Sequence, residues 1–289
     1  ITTVFDSLAI GSRTDAGLRS SQIHRDAVSA LDRLAERNFL RAEHYLHLRC
    51  EVGTEDVVDL FEEFGNHRLV QLASVMDHTP GQRQWSDPVK WRQYQERNGK
   101  WSDEKAEAAL IELAELQARY AHAHRRSIVE RCKALGLSMA SHDDTLAEHV
   151  EEAVRDGIAI SEFPTTMVAA RMARQHGQVT VMGAPNVVRG GSHSGNVSAL
   201  QLAKEGLLDI LSSDYVPSSL MMAAFQLVRE VGWSLPRAIA TVSFAPAKAV
   251  GLDDRGAIEI GLRADMVRVG LSDIFPVPRA TYVCGVRVA

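Results

Sequence analysis

Apolar and polar positions change their spacing repeatedly along the chain. Short apolar, β-branched runs fall at residues 1–10 (ITTVFDSLAI), 41–52 (RAEHYLHLRCEV), 69–78 (LVQLASVMDH), 136–144 (GLSMASHDD), 157–163 (GIAISEF), 178–186 (QVTVMGAPN) and 207–215 (LLDILSSDY). Each reads as a strand bounded by turn or helix signals. Between them lie helical patterns, as in SQIHRDAVSALDRLAERN and EKAEAALIELAELQARYAHAHRRSIVERCKALG, the second closing on Lys133 and Gly136 as helix C-termini do. Strand, helix, strand repeats require right-handed parallel crossovers, and so predict either a doubly wound sheet or a closed barrel.

Polar and ionisable residues gather where these strands end: Arg49 and Glu51, Asp77 and His78, His142 to Asp144, Glu162, Asn186 and Asp214. A doubly wound sheet would concentrate such residues at one switch point, whereas a barrel spreads them over the C-terminal ends of many strands. The pattern therefore predicts an α/β fold of the (β/α)8 TIM-barrel type with seven of the eight strands present. The opening ITTVFD, with no cap or polar leader, reads as a strand entered partway through a fold. The last segment, DRGAIEIGLRADMVRVG and ATYVCGVRVA, has short strands and Gly turns. The expected division is a barrel over residues 1–252 and the C-terminal part of a small β-sandwich over 253–289.

The segment from Thr79 to Lys100, rich in Trp, Gln, Arg and Lys, follows a strand end directly. Two readings fit it: a lid over the site, or a surface insertion that packs on Trp85, Trp91 and Tyr94. A formal net charge of -5 from 32 basic and 37 acidic residues supplies no global positive field for a nucleic-acid backbone. Any polyanion must be held locally. Cys50, Cys132 and Cys284 are odd in number and widely spaced, which fits a reducing cytoplasm better than a disulfide framework. No run has the length of a membrane span, so the chain reads as soluble, and a homo-oligomer is compatible with all of these features.

His142, with Asp143 and Asp144 beside it, puts imidazole and carboxylates at one strand end, a donor mixture suited to Zn, Mn or Fe. Asp214 ends another strand, His78 a third and Glu51 a fourth, so all four are candidate ligands of one divalent metal. Such a cation acidifies a bound water, and Asp214 is the candidate to orient that water and take its proton. The stretch GAPNVVRGGSHSGNVSA offers an anion cradle: Gly190 and Gly191 let backbone N–H groups approach, and Asn186, Arg189, His193 and Asn196 supply donors. Arg49 and Arg83 are further candidate phosphate donors. The bland alternative is a flexible connector. His44 and His47 differ by three on a strand and face opposite sides, so at most one can serve the site.

With these motifs in hand, the chain resembles the amidohydrolase superfamily. ITTVFD is similar to the second barrel strand there, SHDD to the fifth-strand metal-histidine motif, and SSDYVP to the eighth-strand Asp motif. DRGAIEIGLRADMV resembles the return into the small β-sandwich. MDHTPGQRQW, EFPTT, MGAPNVVRGGSHSGN and LSSDYVPSSL resemble the branch of the superfamily that acts on triphosphorylated ribose phosphonates. The resemblance implies a divalent metal and a small phosphorylated ribose phosphonate as substrate, cleaved to the 5-phosphate and pyrophosphate. It matches His142 and Asp214 to metal ligands, and Glu51 and His78 through RCE and MDH. Two departures stand out. The first-strand histidine pair would precede Ile1, and Glu162 stands where many members carry a ligand His, either as a replacement ligand or as the partner of one. A C–N hydrolase with the same fold and a catalytically silent assembly subunit are the competing readings.

Overall fold

The computed structural model describes residues 1–11, 20–96, 99–192, 195–272 and 275–289. Each of the seven apolar runs contains a strand. In chain order the elements are β1 (Thr3–Ile10), α1 (Ser21–Glu36), β2 (Glu43–Glu51), α2 (Val57–Phe64), β3 (Val70–Met76), α3 (Pro88–Gln95), α4 (Asp103–Leu135), β4 (Ser138–His142), α5 (Ala147–Arg155), β5 (Ile160–Glu162), α6 (Met167–Gln175), β6 (Val179–Gly183), α7 (Ala184–Arg189), α8 (Ala199–Lys204) and β7 (Ile210–Ser212). Then come α9 (Ser219–Val231), α10 (Leu235–Ala240), α11 (Phe244–Ala249), β8 (Met266–Ser272), β9 (Phe275–Val283) and β10 (Val286–Arg287).

Strands β1 to β7 pair in sequence order and are parallel throughout. The sheet has no switch point, which rules out the doubly wound alternative, and it curls as a half-barrel with β1 and β7 at its edges. Its strands are shorter than the apolar runs that announce them. The run 178–186 is a strand only to Gly183, and Pro185 then sits in the first turn of α7, where its fixed φ and missing N–H are at no disadvantage.

The two largest apolar clusters among the described residues flank the sheet. Ile10, Leu46, Leu48, Val57, Phe61 and Ile128 join β1 and β2 to α2 and α4, while Met182, Val187, Leu202, Leu211, Leu227 and Trp233 pack β6 and β7 under their following helices. Helix α4 is capped at both ends: the Ser102 hydroxyl accepts from the Lys105 N–H at 3.2 Å, and Gly136 takes a left-handed φ of 68°. At roughly 1.5 Å per residue it is long enough to outreach the sheet. Its far half packs in the main core through Ala121, Ile128, Val129 and Cys132. Its near half carries Ala109, Leu110 and Leu113 against Trp85, Trp91 and Trp101, a separate apolar cluster built by the segment after β3.

The C-terminal residues form a three-stranded antiparallel sheet ordered β10-β9-β8. Arg255 and Arg263 both pair with Glu43 at the start of β2, and Arg255 donates to the Thr3 hydroxyl at 3.1 Å, fixing the chain after α11 to the barrel. Among the described residues no helix is long and apolar enough to cross a membrane.

Candidate active site

The C-terminal ends of β2 through β7 open on one cavity of about 700 Å3, within the range that holds small organic ligands. Arg49, Glu51, His78, His142, Asp143, Asn186, Arg189, Gly191, Asn196 and Asp214 all line it, so the strand-end residues picked from the sequence meet at one rim.

At its floor, His78 Nε2 lies 3.4 Å and His142 Nε2 3.5 Å from Asp143 Oδ2, and the two rings stand edge to face. Each ring is held from behind. His78 Nδ1 donates to Glu51 Oε2 at 2.6 Å, while the His78 backbone N–H donates to Glu51 Oε1 at 2.8 Å. His142 Nδ1 donates to Glu162 Oε2 at 2.7 Å, and its Nε2 accepts from Arg49 Nη2 at 2.8 Å. That tautomer turns the Nε2 lone pair to the cavity side, where the Arg49 guanidinium occupies it. A carboxylate behind a histidine is the usual orienting partner of a metal-ligating ring.

Glu162 therefore meets the rear nitrogen of His142 and does not face the cavity, and both carboxylate oxygens of Glu51 are engaged with His78. Asp143, read from the sequence as either a supporting group or a ligand, takes a place with the two imidazoles. Side-chain donor atoms of His78, His142 and Asp143 all lie within 4.8 Å of one another. Asp143 Oδ2 is buried with no hydrogen-bond partner. Two imidazole nitrogens and an unsatisfied carboxylate oxygen fit a borderline divalent cation.

The electrostatics agree. Burial alone pushes His78 down, but Glu51 and Asp143 outweigh it and lift the imidazole to about 9, so this point of the structure favours positive charge. Burial raises Asp143, and His142, His78 and Arg49 together overcome that and hold it below the usual carboxylate range. Glu162 is likewise lowered against its burial, by His142, His47 and Arg49.

A second hydrogen-bonded row supports the floor. Ser74 donates to Glu162 Oε2 at 2.8 Å, which leaves its oxygen to accept from His47 Nε2 at 2.5 Å, and His47 Nδ1 accepts from Ser7 at 3.2 Å. Burial lowers His47 to about 4, so it is neutral. His44, on the other side of the strand, pairs with Asp6 at 2.7 Å. Of the two histidines only His47 joins the row beneath the floor.

The rim backbone is strained where it presents these groups. Asp143, Phe163 and Asp214 follow the ends of β4, β5 and β7 with φ of 58°, 55° and 48°. Left-handed backbone is uncommon for non-glycine residues, least so for Asp, and costs energy that the surrounding structure must hold. Asp214 leans over the backbone of Gly183, where a Cβ would lie 3.0 Å from its Oδ2. It lines the cavity beside, and outside, the His78, His142 and Asp143 group.

The anion side differs from its sequence reading in three places. Arg83, read as a phosphate donor, is buried at 6% exposure and pairs with the fully buried Asp144, away from the cavity lining. Asn186 lines the cavity, but its amide donates to Val197 O at 3.3 Å and accepts from the Ala199 N–H at 2.9 Å. It thus caps the first N–H of α8. Gly190 ends α7 at φ 81° and stays out of the lining, while Arg189 is exposed at the mouth. His193 lies outside the described residues. Segment 79–100 both packs on its tryptophans and walls the cavity with Gln84, Tyr94 and Gln95, joined by Trp101, so neither of its two sequence readings excludes the other. Phe163 and Tyr215, also in the wall, lie within the EFPTT and SSDYVP motifs but were given no role from the sequence.

Residues 92–284 match the amidohydrolase family. The chain is 45% identical over 269 residues to the alpha-D-ribose 1-methylphosphonate 5-triphosphate diphosphatase of Escherichia coli K12, a match spanning 92% of this chain and 71% of that protein. In fold it is similar to the dihydropyrimidinase of Brevibacillus agri, with a TM-score of 0.57 and 12% identity over 99% of this chain and 76% of that one. The N-acetylglucosamine-6-phosphate deacetylase of Thermotoga maritima gives 0.54 and 14% over 99% and 79%.

Proposed function

This chain belongs to the amidohydrolase family, and from that premise we propose that it hydrolyses α-D-ribose 1-methylphosphonate 5-triphosphate to the 5-phosphate and pyrophosphate with the help of a divalent cation. What supports the reading is the pairing of unlike corners in one cavity, His78, His142 and Asp143 on one side and Arg189 and Asn196 on the other, in a chain so similar to a diphosphatase.

His78, His142 and Asp143 would hold the cation, with Glu51 and Glu162 fixing the two rings. The cation, of the Zn, Mn or Fe class, supplies acidification of a water and polarisation of a phosphoryl oxygen. Asp214 orients the attacking water and accepts its proton. Its place over Gly183 leaves the carboxylate at the cavity wall, next to the floor. Arg189, with Asn196, grips the outer phosphates, and Arg49 faces the same space from the floor. Gln84, Tyr94 and Gln95 wall the cavity and limit the water that reaches the reacting group.

Incubating the protein with the triphosphate and Zn or Mn, and following 31P NMR, tests the reaction. Pyrophosphate and the 5-phosphate should appear in equal amounts. Stepwise release of inorganic phosphate, or turnover confined to C–N substrates with release of ammonia or acetate, refutes it. Asp214→Asn should lower kcat on the order of a thousandfold, as loss of a general base does, with an unchanged melting temperature. Near wild-type turnover would remove Asp214 from that role.

A further inference from the structure

Arg83 belongs to the segment that walls the cavity, yet its side chain turns under the floor. Its Nη1 donates to the Asp144 carboxylate, to the His142 carbonyl at 3.3 Å and to the Ser141 hydroxyl at 3.4 Å. These acceptors lie within residues 141–144, the turn that presents His142 and Asp143. Ser141 donates to the same Asp144 oxygen at 2.8 Å, and Asp144 is fully buried. From Arg83 a row of alternating charge continues outward. Its Nη2 stands 3.4 Å from Glu152 of α5, Glu152 stands 3.4 Å from Arg125 of α4, and Arg125 donates to Asp156 at 2.7 Å.

Both ends of this contact are conformationally costly. Arg83 has φ 43° and Asp143 has φ 58°, so two left-handed, non-glycine residues are held where ordinary backbone preference would relax them. A buried guanidinium also loses its hydration. Buried ion pairs are a poor device for stability alone, because apolar side chains of the same volume do as well or better. What the planar fork provides is direction: Nη1 bonds the turn while Nη2 faces Glu152 of α5, and the single ammonium of Lys does not span both.

We propose that Arg83 is a positioning residue for the cation site. It braces the 141–144 turn so that His142 Nε2 and Asp143 Oδ2 face one point, and it ties the cavity wall that carries Gln84, Tyr94 and Gln95 to that point. The inference rests on the metal-dependent reading above. It assigns Arg83 no contact with substrate.

The test uses the whole protein loaded with Co(II), with affinity measured by chelator competition and geometry by the visible ligand-field spectrum. R83K should fold, bind Co(II) roughly ten- to a hundredfold more weakly, as loss of a group supporting a ligand does, and show an altered spectrum. The neutral pair R83Q/D144N leaves no buried charge unmatched and should show the same two changes, so it decides the matter if R83K does not fold. With the triphosphate, kcat should fall while KM stays near wild type. Wild-type Co(II) affinity and spectrum in the folded variants would make Arg83 a brace of the fold only and overturn the inference. A raised KM with unchanged kcat would also overturn it, by returning Arg83 to the phosphates. Wild-type protein that binds no Co(II) would instead defeat the underlying metal reading, and this inference with it.

Discussion

On one side of the cavity, His78 and His142 are gripped at Nδ1 by carboxylates, Glu51 at 2.6 Å and Glu162 at 2.7 Å, each on another strand. On the other side, Arg189 is exposed on the last turn of a six-residue helix and Ser192 and Asn196 are half-buried in the loop beyond. The first corner has given up its rotational freedom before any ligand arrives, and in the second the exposed Arg189 side chain has kept much of its own. The contrast suits the two tasks. A cation held by short, directed bonds gains from donors already in place, whereas a triphosphate presents many equivalent oxygens and tolerates an adaptable partner. The rigid corner should therefore govern affinity for metal and the rate of the chemical step, and the loose corner affinity for substrate.

The hardest blow to the rigid corner is Glu162→Ala. It removes the acceptor shared by His142 and Ser74 and leaves both donors buried. Stability should drop by about 3 kcal/mol, as when buried donors lose a charged acceptor. Affinity for Zn or Co(II) should fall by at least about tenfold. Glu162→Gln keeps the shape and should lose less of both. Denaturant melts with metal titrations on both variants are sufficient, and unchanged metal affinity in both would break the claim that the corner is preset through its rear carboxylates.

A smaller effect comes from pH, through the row beneath the floor. His47 titrates near 4 in the folded protein because burial disfavours its charged form, against about 6.5 when unfolded. A depressed folded pKa means that the unfolded chain binds the extra proton first. His47 thus contributes stability that is whole above about pH 6.5 and is lost as pH falls toward 4, at about 1.4 kcal/mol per pH unit, or about 2 kcal/mol by pH 5. Urea melts at pH 7, 6 and 5 should show this slope, and His47→Gln should flatten it. An equal slope in the variant would assign the acid loss to other groups.

Which corner was legible beforehand follows from these same side chains. Strand ends could be read because apolar runs stop where His, Asp and Glu begin, and the seven runs gave the order of the sheet. Two consecutive acids after His142 could not be told apart, however: Asp143 and Asp144 differ only in which way a turn with left-handed φ sends each, one to the cavity and one to Arg83. Arg83 showed a charge but not its burial, since that depends on the turn at the end of the neighbouring strand β4, far away in sequence. The role of Glu162 needed its register beside His142, which pairs the two residues across β4 and β5. Asn186 carried a signal that was available: Pro185 just before it marks a helix start, and a helix there turns the amide toward the next helix rather than outward.

The smallest expected effect tests the loose corner. Arg189 lines the mouth of the cavity and is exposed, so removing its side chain opens no core and leaves no buried partner unmatched. Arg189→Ala should leave the melting temperature and the Co(II) spectrum as they were. The loss should fall on substrate alone: KM for the triphosphate rises roughly tenfold, about 1.4 kcal/mol, the size of one charge-assisted contact at a partly solvated site. Because the outer phosphates are gripped in the ground state as in the transition state, kcat should hardly change. The effect should also shrink as salt rises, since an exposed guanidinium is screened over about 8 Å at physiological ionic strength. A fall in kcat as large as that of Asp214→Asn, with KM unmoved, would place Arg189 among the groups that act on the reacting phosphorus and erase the distinction between the two corners.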